Sequence, residues 1–158
     1  MASTDLSGGQ TSGTASALGV DMALEVVTLP VSDVDRAKSF YESLGWRFDI
    51  DLVVSDDMRT VQFTPPRSPC SIQFGKGGTT AEPGSAQAMI LTVKDIDAAR
   101  DDLVSRGVDV SEVAVNRPAG FDESARSYFA RATFSDPDGN RWQLQEITTR
   151  LPGREWED

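Results

Sequence analysis

The chain of 158 residues contains no histidine. That absence removes every mechanism built on an imidazole: Ser-His-Asp triads, Cys-His pairs, imidazole bases and histidine-ligated zinc. A metal ion would have to be held by carboxylates, amides or the single cysteine, Cys70. One cysteine cannot form an internal disulfide, which fits a reducing compartment and points to the cytoplasm. No apolar run approaches the length of a membrane span. The N-terminus has no basic stretch followed by an apolar block, so a secretory leader is not expected. Positive charge is scarce as well: 15 Lys and Arg against 25 Asp and Glu leave a net charge of −10. The basic residues are scattered rather than patched, which argues against a nucleic-acid partner. An acidic surface aids solubility and would also attract a cationic ligand.

What is present is organised. Residues 1–21 are rich in Gly, Ser, Thr and Ala, too poor in large apolar groups to offset their ordering entropy, and read as a disordered tail. From Met22 the pattern becomes regular. Leu24 to Val31 reads as a strand. Val34, Ala37, Phe40, Tyr41 and Leu44 then recur at helical spacing, with Ser32 and Asp35 as the capping signal and Gly45 as the stop. Trp46–Val53, Met58–Thr64 and Ser71–Phe74 are strand candidates separated by turn residues. After a Gly-rich linker at 76–86 the order repeats: strand Gln87–Val93, a helix marked by Ile96, Ala99 and Leu103 and closed by Gly107, then strands Asp109–Val115, Tyr128–Ser135 and Arg141–Ile147. The polar loop from Asn116 to Arg126 is a surface connection long enough to serve as a lid.

The repeat is visible residue by residue. Placing Leu29–Trp46 over Leu91–Val108 gives seven identities in 18 positions: Leu29/Leu91, Val31/Val93, Asp33/Asp95, Asp35/Asp97, Ala37/Ala99, Ser43/Ser105 and Gly45/Gly107. They fall on the strand end, the helix cap, the buried helix face and the stop. Unrelated strand-helix units would share the hydrophobic pattern but rarely the caps, so the chain is read as an internal duplication.

Two stretches, Leu29-Pro-Val-Ser-Asp-Val-Asp-Arg-Ala-Lys-Ser-Phe-Tyr-Glu-Ser-Leu-Gly-Trp46 and Phe134-Ser-Asp-Pro-Asp-Gly-Asn-Arg-Trp142, resemble the first strand-helix unit and the last hairpin of vicinal-oxygen-chelate proteins, the glyoxalase/bleomycin-resistance/dioxygenase superfamily. The resemblance covers Met22 to about Ile147. It implies an α+β fold of two tandem βαβββ modules (22–75 and 87–147, with 148–158 as a C-terminal tail), whose curved mixed sheets enclose a cup-shaped pocket. It also implies a homodimer as the only protein partner. Metal-dependent members of that family line the cup with two His/Glu pairs. Carried over by position, those four sites fall here on Val26, Gln73, Ala88 and Gln143. Val and Ala have no lone pair to donate, and neutral amides are weak ligands for a divalent transition metal. No metal or other cofactor is therefore expected.

Strand alternation extends the lining to Thr28, Ile90 and Gln145. The three glutamines would offer amide donors and acceptors to a polar small molecule, or else satisfy one another and the backbone. Tyr128 and Trp142 could stack on a flat ligand, as could Trp46, Phe63 and Phe129, although strand aromatics usually pack in the core. Asp49 and Asp51 share one strand face by alternation, and Arg59 and Arg131 are expected to face solvent. The resemblance then implies a metal-independent protein that binds an aromatic or cationic compound. The alternative is a metal-free enzyme of lyase, isomerase or dioxygenase-like ancestry, with Tyr128, Asp51 or Glu146 as acid or base.

Overall fold

The computed structural model describes residues 19–157; most of the expected N-terminal tail lies outside them. Two modules follow one another with the same topology. In the first, β1 (Val26–Thr28), α1 (Val34–Ser43), β2 (Arg47–Ser55), β3 (Met58–Thr64) and β4 (Ser71–Lys76) form a sheet in the order β1-β4-β3-β2. In the second, β5 (Met89–Val93), α2 (Ile96–Ser105), β6 (Ala114–Val115), β7 (Ala130–Ser135) and β8 (Arg141–Glu146) repeat it as β5-β8-β7-β6. The first strand of each module lies parallel to the last, and the remaining pairs are antiparallel.

The cap of α1 lies one residue later than the expected Ser32, and α2 is capped at the equivalent position. Asp33 and Asp95 are the N-caps, their carboxylates accepting from the Arg36 and Ala98 N–H groups at 2.9 and 3.0 Å. The glycine stops hold: Gly45 and Gly107 adopt φ of +76° and +86°, the left-handed conformation that ends a helix. Most of the strand expected at Asp109–Val115 is not a regular strand. Ser111 runs beside β7, but its Oγ rather than a backbone carbonyl accepts from the Thr133 N–H, which shortens the ladder to Ala114 and Val115.

The core faces of the two sheets and their helices merge into one cluster. Tyr41 on α1 lies at its centre, fully buried, with ring centroids 5.4 Å from both Trp46 and Phe74 and 6.3 Å from Trp142 of the other module. Its hydroxyl donates to Asp136 at 2.9 Å and accepts from Trp142 Nε1 at 3.1 Å. Burial, with the charge of Asp136, pushes the phenol far above its ordinary pKa, so it stays a neutral donor. The Asp136–Asn140 stretch is indeed the β7–β8 turn, and it also locks the modules together. Buried Asn140 donates to the Pro30 carbonyl and accepts from Ala86 N–H, while Asp138 accepts from Ser32 N–H and Oγ. The linker is fastened to the same turn: a Cβ on Gly84 would stand 2.1 Å from the Asp138 carbonyl oxygen.

Replacing Tyr41 by Phe strips Trp142 Nε1 of its acceptor and Asp136 of a donor inside the core. Leaving buried polar groups unpaired costs about 1–3 kcal/mol. Urea unfolding of Tyr41→Phe is expected to show a lower midpoint at an unchanged slope; an unchanged midpoint would mean the network contributes nothing to stability.

Candidate functional site

Each sheet has one face on the core and one open face, and alternation sorts the side chains between them. On the first sheet the register pairs Val26 with Ser71, Thr28 with Gln73, and Gln73 with Gln62. These residues share the open face, opposite Ile72, Phe74, Val61 and Phe63 of the core. On the second sheet Ile90 pairs with Gln143, Thr92 with Gln145, Thr133 with Gln143 and Arg131 with Gln145, again opposite the core row of half-buried Leu91 and buried Leu144 and Ala132. Ala88 lies just ahead of β5, in phase with Ile90. The structure thus gathers Val26, Thr28 and Gln73 on one open face and Ala88, Ile90, Gln143 and Gln145 on the other.

One expected lining residue is placed otherwise. Trp142 points to the core face, 3% exposed, bound to Tyr41 and stacked on Phe134. It cannot touch a ligand in the cup, because it alternates with Gln143. Tyr128 precedes β7 with φ +69°; its carbonyl accepts from Gln145 Nε2 at 2.9 Å, and its N–H donates to the Glu146 carbonyl.

The open face of the first sheet carries a polar network that alternation alone misplaces. A β-bulge between Phe48 and Ile50 puts Asp49 and Asp51 on opposite faces instead of the same one. Asp49 accepts from Arg47 Nε at 2.6 Å, Thr64 Oγ1 at 2.5 Å and Gln62 Nε2 at 3.1 Å, and Thr64 is 2.7 Å from Ser71 Oγ. Desolvation pushes the Asp49 carboxyl up, but the bonds from Arg47, Thr64 and Gln62 together outweigh it and hold the group below the usual carboxylate range. Asp51 turns to the helix side, where Arg59 and Lys38 donate to it at 2.9 and 3.0 Å and depress it strongly. Arg59 is therefore an ion-paired group, bound also to Asp35, rather than a solvent-facing one. Glu146 caps α2 by accepting from Ile96 N–H and lies 3.7 Å from Arg126. Neither Asp51 nor Glu146 is placed to work in the cup. Burial and the nearby Glu25 push the Cys70 thiol up, away from the reactive thiolate.

Gln62 was not singled out in the sequence, although it was legible, since Val61-Gln62-Phe63 alternates cleanly. Asp49 was singled out, but on the same face as Asp51, because nothing in Arg47–Asp51 announces a bulge.

The side chains at the four positions onto which the resemblance carries metal ligands do not fit a divalent transition metal: Val26 and Ala88 have no donor atom, and the amides of Gln73 and Gln143 are weak ligands. Gln73 donates through Nε2 to Thr28 at 2.9 Å. Among the described residues no three His, Cys, Asp or Glu side chains come together, and no helix is long and apolar enough to cross a membrane. The polar faces are bordered by exposed apolar side chains, Ile50, Leu52 and Met58 on one sheet and Ile90 on the other. Among the described residues, the side-chain hydrogen bonds that join the modules leave from loops, helices and the core, and none leaves from either open face.

A family model for the Glyoxalase/Bleomycin resistance protein/Dioxygenase superfamily matches residues 23–144. Among solved structures, the chain is similar to TnmS3, an antibiotic binding protein from Streptomyces sp. CB03234, at 31% identity and a TM-score of 0.65, covering 82% of this chain and 98% of that one. A glyoxalase/bleomycin resistance protein from the same organism aligns at 32% identity and a TM-score of 0.61, over 78% and 99% of the two chains. The fosfomycin resistance protein FosX of Listeria monocytogenes shares the fold at 15% identity and a TM-score of 0.55, over 80% and 94%. No curated protein matches the chain.

The depressed Asp49 carboxyl ties stability to pH. Its folded pKa lies below its unfolded value of about 3.9, so its stabilisation is present above pH 4 and is lost as pH falls through the folded value. Asp49→Asn is expected to be less stable at neutral pH and to lose less further stability between about pH 5 and pH 3. Parallel acid limbs for the two proteins in urea titrations at stepped pH would count against the network.

Proposed function

The chain belongs to the glyoxalase/bleomycin resistance protein/dioxygenase superfamily, and on that premise we propose that it is a small-molecule-binding protein that works without a metal. The observation that carries this reading is the chemistry of the four inherited ligand positions. They hold Val26, Gln73, Ala88 and Gln143, a set suited to hydrogen bonding and apolar contact. Around them stand Thr28, Gln62, Thr133 and Gln145, bordered by Ile50, Leu52 and Ile90. Gln145 is already engaged by the Tyr128 carbonyl and Gln73 by Thr28, which fixes their orientation. Among the described residues the Gln143 side chain has no such partner, and its amide is the group offered to a ligand.

Of the two ligand classes that the sequence leaves open, the cup favours the aromatic over the cationic. Its carboxylate Asp49 is neutralised by Arg47 at 2.6 Å, and Arg131 and Arg141 share the open face of the second sheet. A molecule with flat apolar surface and a few hydrogen-bonding groups suits such a lining. Similarity to an antibiotic binding protein supports an antibiotic or a comparable natural product as that molecule. Binding without turnover is the reading because Asp49, held ionised well below neutral pH, is a poor proton acceptor.

Each open face is half of a pocket. Four large apolar side chains on them, Ile50, Leu52, Met58 and Ile90, are 42–55% exposed, a pattern that marks a surface to be covered. The proposal includes a second copy of the chain, whose complementary half closes each cup, in the cytoplasm.

The test uses full-length protein treated with a chelator. Bleomycin and the fluorescent aromatic 8-anilinonaphthalene-1-sulfonate are titrated calorimetrically, and bleomycin is recovered afterwards for mass analysis. Saturable binding without metal, with bleomycin returned unchanged, is expected for at least one probe. Gln143→Ala should weaken it several-fold, the worth of about 1 kcal/mol for a lost hydrogen bond. Light scattering should give the mass of two chains. Binding or turnover that appears only on adding metal overturns the reading, and a monomer that binds with full affinity removes the second copy from it.

A further inference from the structure

The duplication allows the two cores to be compared position by position, and they are not equally filled. In the first module, Tyr41 fills the space between helix and sheet, covered by Phe40 and walled by Trp46 and Phe74. The alignment that superposes Ala37 on Ala99 places Leu103 where Tyr41 stands, Asp102 for Phe40 and Val108 for Trp46. The strand registers place Leu144 for Phe74 and Ala132 for Val61. Every one of these exchanges removes volume. Two other exchanges add volume: Ile96 stands for Val34 at the start of the helix, and Trp142, in the place of Ile72, directs its indole away to the Tyr41 hydroxyl. The deficit is visible in burial: Ala37 is fully buried, whereas Ala99 is half-buried.

What remains is a crevice of about 200 Å³ at the junction of α2, β5 and the core face of the second sheet with Leu44, Trp46, Pro65 and Pro66 of the first module. Ala99, Leu103 and Leu144 line it together with the aromatic residues Trp46 and Phe134 and with Pro66 of the first module. Its one charged lining residue, Asp102, is occupied by Arg106 at 2.9 Å. An enclosed apolar cavity of about 150 Å³ takes up benzene, and this crevice, open on one side, offers a comparable volume. We propose that this crevice is a second binding site, which takes a small neutral aromatic molecule of benzene to indole size into the place that Tyr41 fills in the first module. Neutrality follows from the lining, which holds no unpaired charge to meet an ionic ligand. Aromaticity follows from the rings of Trp46 and Phe134, which can receive another ring edge-on or offset.

The experiment measures indole and benzene binding to the full chain by ligand-observed NMR and by the shift in melting temperature. Indole should bind saturably and raise the melting temperature. Leu103→Phe restores a ring at the position of Tyr41 and should weaken indole binding at least tenfold while raising the melting temperature of the free protein. Ala99→Leu, which fills the same space from the preceding helical turn, is the second variant and should weaken indole to a similar degree. The double variant Gln73→Ala/Gln143→Ala alters only the cups and should leave indole affinity within twofold. The proposal is overturned by the absence of saturable binding for both probes, by indole binding that survives both filling variants, or by its loss in the cup variant.

Discussion

Four donors converge on the Asp136 carboxylate: the Tyr41 hydroxyl, the Asn140 side chain, and the backbone N–H groups of Asp138 and Asn140. A carboxyl group in a core is tolerated only when its hydrogen-bonding capacity is this fully used. The arrangement closes the β7–β8 turn and, through Tyr41, ties α1 of the first module to the last hairpin of the second. Trp142 then hangs its indole N–H on the same hydroxyl, so the aromatic centre of the molecule is oriented by hydrogen bonds as well as packing.

The site follows from that bond. Because the modules are joined through α1, the turn and the core sides of their sheets, the other sides of both sheets are left open. The same alternation that buries Phe63, Phe74, Leu144 and Trp142 delivers Gln62, Gln73, Gln143 and Gln145 to those open faces. Core and cup are thus two readings of one periodicity, and a one-residue slip in β4 or β8 would exchange them.

Duplication did not make the halves equivalent. The first sheet's open face is braced by the Arg47–Asp49–Thr64 network; the second offers Gln143 with Arg131 and Arg141 beside it. The cores diverged too, aromatic in the first module and underfilled in the second, and the space left over is the crevice beside Leu103. A ligand that lies across the two cup faces would therefore meet different chemistry at its two ends.

Much of this was legible in the chain. Hydrophobic spacing located both helices and every strand region, because burial on one face imposes a period that survives in the sequence. The paired identities from Leu29 to Gly45 exposed the duplication, and the absence of histidine excluded imidazole chemistry outright. Local pattern could not decide how the elements meet. The β-bulge that parts Asp49 from Asp51, the Ser111 hydroxyl that cuts short β6, the withdrawal of Trp142 from the cup to the Tyr41 hydroxyl, and the capture of Arg59 by Asp51 and Asp35 all depend on partners distant in the chain. Residue type and periodicity determined which side chains could serve a core or a cup. Which of them do was decided by tertiary contacts, since a buried polar group goes wherever its hydrogen-bond partner is found.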